Sequence, residues 1–256
     1  MKIIVSGKGG SGKSTLSALI AKALSRKGYH VLLIDADESN LGLHKMMGIS
    51  DPPVILMDNL GGKKGFKAKI NNHMSPGGGD LFGNEVSIDT LPDECIRTVS
   101  GVKLLAIGKI HESGEGCACP MGMLSRLILS KFVIGEKDIL LIDTSAGIEH
   151  FGRGIDEKCD LLLAVVDPTY ESFMLAKKMA DISDTAGMDI GFILNKVDSR
   201  VEGKMIGQVD KNRVIARIPN SDDIFLSSLE GRELLISPEA IHPVCNYIEA
   251  KMAARA

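Results

Sequence analysis

Nine residues near the amino terminus, Gly7-Lys8-Gly9-Gly10-Ser11-Gly12-Lys13-Ser14-Thr15, combine backbone freedom, positive charge and hydroxyl groups in the spacing G-x-x-x-x-G-K-[ST]. Glycines at this density let several N–H groups turn inward on one concave anion site, and a helix that starts just after them brings its positive end to the same point. This is the chemistry of a phosphate-binding loop. Gly9, Gly10, Ser11, Gly12 and Thr15 frame the site, Lys13 reaches the β- and γ-phosphates, and Ser14 reaches Mg²⁺.

Other residues complete a nucleotide site. Asp143 closes the apolar run Asp138-Ile139-Leu140-Leu141-Ile142 and has the form of a Walker B aspartate, which holds Mg²⁺ directly or through a water. Gly147, shortly after it, can offer its backbone N–H to a γ-phosphate. In Asp35-Ala36-Asp37 the first carboxylate belongs to a strand end, whereas Asp37 lies two residues further out, where it can meet a water in line with the γ-phosphate. Asn195-Lys196-Val197-Asp198 has the form of an Asn-Lys-x-Asp pattern, in which an amide and a carboxylate read a purine edge; a plain turn would show the same residues.

A second chemistry lies in Gly116-Cys117-Ala118-Cys119-Pro120. Two thiolates cannot close a tetrahedral S₄ site, but a two-fold axis running past the pair supplies two more from a second copy of the chain. Pro120 suits the first position of a helix, which puts both sulfurs near a helix amino terminus, where the dipole favours thiolate; Glu112 and Glu115 oppose that effect. Ni²⁺ or Zn²⁺ fits such a set, and so does a [4Fe–4S] cluster. His111 is a lone histidine and reads as a surface residue, Cys159 reads as core, and Cys95 and Cys245 carry no signal.

The elements that position these groups are legible in the apolar pattern. Ile3-Ile4-Val5 is a first strand, and Leu16, Leu19, Ile20, Ala23 and Leu24 recur at helical spacing until Lys27-Gly28 stops them. The run Val31-Leu32-Leu33-Ile34 is continuous rather than alternating, as in a strand covered by helices on both faces. Similar runs occupy Lys103 to Ile107, Asp138 to Asp143, Leu161 to Val166, Ile190 to Asn195 and Arg213 to Ile218. The alternation of strand and helix predicts an α/β fold with a doubly wound, mainly parallel sheet, in one domain over residues 1–256, with its ligand beyond the carboxyl ends of the strands. The glycine loop, Asp37, Asp143 and Asn195 each follow a strand and so gather at that edge. Residues 60–83, with Lys63, Lys64, Lys67 and Lys69 between glycine clusters, read as a flexible basic excursion, first a solvated loop and, if the chain serves a client protein, the place where an acidic partner would touch. A final helix from near Pro243 aligns Val244, Tyr247, Ile248 and Met252, a short stripe that reads as packing on the sheet.

Composition narrows the function classes. A net charge of −3, no Trp and 4% aromatic residues give no support to a nucleic-acid groove built on cations and stacking rings. The longest apolar runs are too short to span a bilayer and no signal peptide precedes Lys2, so a cytoplasmic protein without stable membrane insertion is expected. Five cysteines in a chain of 256 residues do not make a disulfide framework.

Lys8 sharpens the class. Lys-Gly-Gly-x-Gly-Lys-[ST], with Asp35-Ala36-Asp37 and Asp143-x-x-Ala146-Gly147, resembles the deviant Walker A P-loop ATPases of the MinD/ParA/nitrogenase-iron-protein superfamily, over nearly the whole chain. The resemblance implies a homodimer with ATP sandwiched between protomers, in which Lys8 crosses to the other protomer's nucleotide and neutralises transition-state charge alongside Lys13. It also implies that Pro219, in Ile218-Pro219-Asn220-Ser221-Asp222, packs with Asn195 on adenine, hence ATP. The cysteine segment and Ala146-Gly147-Ile148-Glu149-His150-Phe151-Gly152-Arg153-Gly154 are similar to the CooC group, ATPases that assist nickel insertion into carbon monoxide dehydrogenase. That likeness implies a slow ATPase acting as a metallochaperone, with Cys117 and Cys119 as intersubunit metal ligands and carbon monoxide dehydrogenase or a related metalloenzyme as client. Two alternatives stay open: a MinD/ParA-type positioning ATPase, and an iron–sulfur carrier or electron-transfer ATPase like the nitrogenase iron protein.

Overall fold

The computed structural model describes residues 1–73, 75, 81–83, 85–110, 119–148, 159–235 and 238–255. Its strands are β1 (Lys2–Gly7), β2 (His30–Ala36), β3 (Ile96–Val99), β4 (Val102–Ala106), β5 (Asp138–Thr144), β6 (Leu161–Val166), β7 (Asp189–Val197) and β8 (Val214–Pro219). They form one sheet in the order β3-β4-β2-β5-β1-β6-β7-β8, parallel throughout except for β3. The central strand is β1, flanked by β5 and β6, so the glycine loop leaves the sheet where the strand order changes direction.

The continuous apolar runs have a direct cause: alternate residues feed two different cores. Ile3, Val5 and Leu33 face one side with Leu16, Leu19 and Leu24 of helix α1 (Lys13–Arg26) and Val244 and Ile248 of the last helix. Ile4, Leu32 and Ile34 face the other side, against helices described below. The short helices α2 (Leu43–Met46) and α3 (Leu56–Asn59) and the longer α4 (Gly62–His73) lead from β2 toward β3. Next come α5 (Cys119–Lys131), α6 (Tyr170–Ala186), α7 (Glu202–Ile206), α8 (Asp222–Leu229) and α9 (Pro238–Ala253). Leu124 and Ile128 of α5 and Ala176 and Met179 of α6 fill the second core. Thr169 caps α6 by accepting from the Ser172 N–H, and Gly187 ends it in the left-handed region at φ 65°.

Three expectations need correction. Strand β3 escapes the apolar pattern because it is short and only half-buried; it turns back on β4 through Ser100-Gly101, both at positive φ, a tight hairpin turn matched to strand twist. Residues 60–83 are not simply a loop, since α4 occupies Gly62–His73. Its lysines surround one buried anchor, Phe66, backed by Ile70 at helical spacing, and a single apolar pair is a poor periodic signal. The last helix begins at Pro238, with Pro243 inside it, rather than near Pro243. Its apolar residues Ile241, Val244, Cys245 and Ile248 are fully covered. Among the described residues no helix is long and apolar enough to cross a membrane.

Because Phe66 is the one buried side chain of α4, Phe66→Ala should release that helix at a cost of about 3–4 kcal/mol of local packing. Limited proteolysis should then cut within residues 62–73 well before the sheet; a cleavage pattern identical to the parent's would show that other contacts hold the helix.

Candidate functional site

The carboxyl ends of β1, β2, β5, β7 and β8 surround a cavity of about 590 Å³ lined by Gly9, Gly10, Gly12, Lys13, Ser14, Thr15, Asp37, Asn195 and Pro219, among others. The loop that forms its floor is wound tightly. Gly10 and Gly12 adopt φ of 76° and 100°, which side chains rarely tolerate, and a Cβ on Gly12 would collide with the Asn195 amide. The Ser11 N–H donates to Lys8 O at 3.1 Å, and helix α1 starts immediately beyond, with Leu16 N bonded to Gly12 O at 2.9 Å. The amino end of α1 carries no side-chain cap, so its first N–H groups remain for an anion.

Lys13 is buried, with Nζ 3.4 Å from Lys8 O, a long contact that a phosphate oxygen can replace. Ser14 Oγ accepts from Asn40 Nδ2 at 2.8 Å. Asp143 lies beneath the loop, wholly buried; its Oδ1 accepts from Ser17 Oγ at 3.2 Å, while Oδ2 has no hydrogen-bond partner. Burial pushes its carboxyl up to about 7, helped by the negative charge of Asp35, while Ser14 and Lys13 pull the other way. An orphaned carboxylate oxygen beside a serine hydroxyl and a phosphate cradle is a hard, all-oxygen environment, which fits Mg²⁺. Asp37 lines the same cavity, its Oδ1 accepting from the backbone N–H and hydroxyl of Ser39 at 2.9 and 2.7 Å.

Asp35 is spent elsewhere. Burial raises its carboxyl to about 6, opposed by Lys109, whose Nζ sits 2.7 Å away and also donates to Asp37 O at 2.5 Å. Nothing in the sequence marks Lys109, a single lysine after an apolar run. Phe225, which lines the cavity beyond Pro219, is likewise unmarked, while Lys196, the lysine of the Asn-Lys-x-Asp pattern, donates from Nζ to Gly10 O at 2.7 Å.

Several sequence-derived groups stand differently from expectation. Asn195 is in the cavity wall, but its Nδ2 donates to Ser11 O at 2.7 Å, so it braces the loop. Ser11, the residue so braced, is fully buried. Asp198 pairs with Arg200 at 2.6 Å on the surface and does not line the cavity. The Gly147 N–H donates to Gly7 O at 3.1 Å, so in this arrangement it is turned from the cavity. Lys8 points away from its own cavity toward Asp167, 3.8 Å off, beside a second hollow of about 350 Å³ that also touches Gly147 and α6.

Cys119 is exposed at the first residue of α5, one position earlier than the start inferred from Pro120, and its sulfur is disulfide-bonded in this structure. Cys117, His111, Glu112 and Glu115 lie outside the described residues. Among the described residues no three His, Cys, Asp or Glu side chains converge as a metal site. Cys95 and Cys245 are buried, with thiols pushed up to about 11, and Cys159 is half-buried against the core.

Residues 2–235 match the family model described as the CobQ/CobB/MinD/ParA nucleotide binding domain. An uncharacterised ATP-binding protein of Methanocaldococcus jannaschii is 48% identical over 91% of this chain and 94% of its own. The carbon monoxide dehydrogenase accessory protein CooC of Rhodospirillum rubrum is 33% identical over 99% of this chain and 95% of its own. The septum site-determining protein MinD of Pyrococcus horikoshii, solved with Mg-ADP, shares the fold at a TM-score of 0.70 and 22% identity, over 100% of this chain and 98% of that one.

The raised carboxyls of Asp143 and Asp35 set a pH dependence. Both bind protons more tightly folded than unfolded, so their contribution is complete below the unfolded value and lost as pH rises through about 6 to about 7. Without nucleotide or metal, urea stability should therefore fall from about pH 5 to about pH 8, and Asp143→Asn should gain on the order of 1–3 kcal/mol at the upper end. A variant no more stable than its parent there would show that burial does not strain this carboxylate.

Proposed function

The chain belongs to the CobQ/CobB/MinD/ParA nucleotide-binding family of ATPases, and from that premise we propose that it couples ATP hydrolysis to delivery of a metal ion, nickel foremost, into a client metalloenzyme such as carbon monoxide dehydrogenase. The observation that carries the reading is Cys119, exposed at the amino end of α5, on the chain that leaves β4 beside Asp37. Its likeness to the CooC accessory protein across nearly the full length of both chains supports the same reading.

In this reading ATP lies along the glycine loop, with Gly9, Gly10, Gly12 and Thr15 against its phosphates, Lys13 on the β- and γ-phosphates and Pro219 against adenine. Ser14 and Asp143 hold Mg²⁺, which supplies charge neutralisation to the phosphates. Asp37 orients the water that attacks the γ-phosphorus as the bond to ADP breaks. Lys8 leaves Asp167 and reaches the nucleotide of a second protomer, so that hydrolysis is slow until two copies close over ATP. Gly147 sits where Lys8 and the glycine loop meet, so its N–H can exchange Gly7 O for a γ-phosphate oxygen.

Closure sets Cys117 and Cys119 of each protomer around the two-fold axis, and the cargo ion, Ni²⁺ or Zn²⁺, takes four thiolates. Loading requires both sulfurs as thiolates. The exposed lysines of α4, Lys64, Lys67 and Lys69, offer a positive surface for an acidic client, beside the helix that begins at Cys119. A bilayer-binding role has less support, since the apolar residues of α9 are consumed by α1 and β8.

Two measurements test this. Lys8→Ala should abolish ATP-dependent dimerisation in sedimentation while leaving monomer nucleotide affinity within about threefold; a dimer that still forms with ATP would sink the sandwich. Cys117→Ser with Cys119→Ser should remove metal from the reduced, anaerobic ATP complex without loss of nucleotide binding. Nickel at full stoichiometry in that variant would contradict the cysteine site, and iron with labile sulfide in the parent would replace the nickel reading by an iron–sulfur one.

A further inference from the structure

The ion pair between Lys109 and Asp35 is almost completely withdrawn from solvent, each side chain being 7% exposed. A salt bridge in such a place is weak evidence for stability, because desolvation offsets most of the attraction. Its placement is more informative. Beyond the last regular pairing of β2 with β4, at Asp35 and Ala106, the two chains continue side by side. Ile107 N donates to Asp35 O at 3.0 Å, Lys109 Nζ to Asp37 O at 2.5 Å, and Ile110 N to Glu38 O at 3.1 Å. One of these chains carries Asp37 into the nucleotide cavity; the other, after Ile110, runs into the segment that holds Cys117 and Cys119.

At its far end the Asp37 segment is tied to the phosphate loop, for Asn40 Nδ2 donates to the same Ser14 hydroxyl that the nucleotide site needs. A continuous path of hydrogen bonds thus runs from Ser14 through Asn40 and Asp37 to Lys109. Backbone pairs alone would tolerate slippage between the two chains. The ammonium of Lys109 binds the Asp35 carboxylate, fixed in β2, and the Asp37 carbonyl, in the segment that follows it, and so sets the angle between strand and segment.

We propose that Lys109 is a positioning residue that holds Asp37 in register for hydrolysis and transmits nucleotide-driven shifts of residues 37–40 to the cysteine-bearing segment. The second half of this statement rests on the metal-delivery reading; the first does not. Lys109 acts through Asp37 and touches no reacting atom.

The test uses the full chain, reduced and anaerobic, with ATP turnover and the rate of Cys119 alkylation by iodoacetamide, resolved by peptide mass spectrometry with and without ATPγS. Lys109→Met strands a buried carboxylate and can unfold the region, so the decisive variant is Lys109→Met with Asp35→Asn, which leaves two neutral groups of similar volume. That variant should fold as the parent does and keep its KM for ATP within about threefold, while kcat falls about tenfold or more. The ATPγS-dependent change at Cys119 should disappear, and Lys109→Arg should recover part of both. A folded double variant with parental kcat and parental Cys119 response would overturn the proposal, as would a rise in KM at constant kcat, which would make Lys109 a nucleotide-binding residue. If the parent shows no ATPγS-dependent change at Cys119, transmission fails while the metal-delivery reading still stands or falls on nickel binding at the cysteines, and loss of kcat in the double variant would establish the positioning of Asp37.

Discussion

The structure depends on how much negative charge it can bury at one edge of a parallel sheet. Asp35, Asp37 and Asp143 are all nearly covered, at the ends of adjacent strands β2 and β5, where Asp35 and Asp143 are direct cross-strand partners. Burial in a region of low dielectric penalises the ionised form and raises the carboxyls of Asp35 and Asp143, with repulsion from the neighbouring carboxylates adding to it. Among the described residues, Lys109 and Lys13 offset that charge from within the protomer. Asp143 Oδ2 has no hydrogen-bond partner among the described residues. On the proposed reading, a divalent cation held at Asp143 would add positive charge where burial disfavours the carboxylate, and nucleotide with Mg²⁺ would stabilise the fold.

The phosphate loop is braced from behind by polar contacts. Asn195 and Lys196, both at the end of β7, grip the carbonyls of Ser11 and Gly10, and Lys196 adopts φ 57° in doing so. A non-glycine residue in the left-handed region carries strain that its surroundings must maintain. Here the surroundings are the loop itself, so the curvature of the anion cradle and the backbone of residues 195–196 hold each other in place. The Asn195 amide, in the wall of the cavity, thereby shapes the loop as well.

Much of the architecture is legible in the sequence because continuous apolar runs in buried parallel strands are long, distinct and separated by helical periodicity. The polar groups at strand ends follow from the same pattern, which is why the loop, Asp37, Asn195 and Pro219 line one cavity and Asp143 lies beneath it. Features that depend on a partner distant in sequence are not legible. Lys109 looks like any lysine after a strand until the fold sets it against Asp35, 74 residues earlier. Strand β3 is too short to show a period, and α4 hides behind lysines because one phenylalanine anchors it. The side-chain directions of Asn195 and Gly147's N–H were equally beyond reach, since both depend on what the loop does in space.

Lys8 illustrates how a weak contact can set the order of events. Its ammonium lies 3.8 Å from Asp167, and about a quarter of the side chain, 23%, remains exposed. At 3.8 Å the contact is longer than a hydrogen bond, and the Asp167 carboxylate, itself 8% exposed, keeps the Thr169 hydroxyl, which donates to its Oδ1 at 2.8 Å, when the lysine leaves. A polyphosphate presented by a second copy of the chain carries several negative charges and is a far stronger partner than one carboxylate already hydrogen-bonded. The lysine is thus held lightly in the single protomer and has little to lose on leaving. On the proposed dimeric route the triphosphate would have to be present on the facing protomer, because without it the lysine would exchange one carboxylate for solvent and gain nothing.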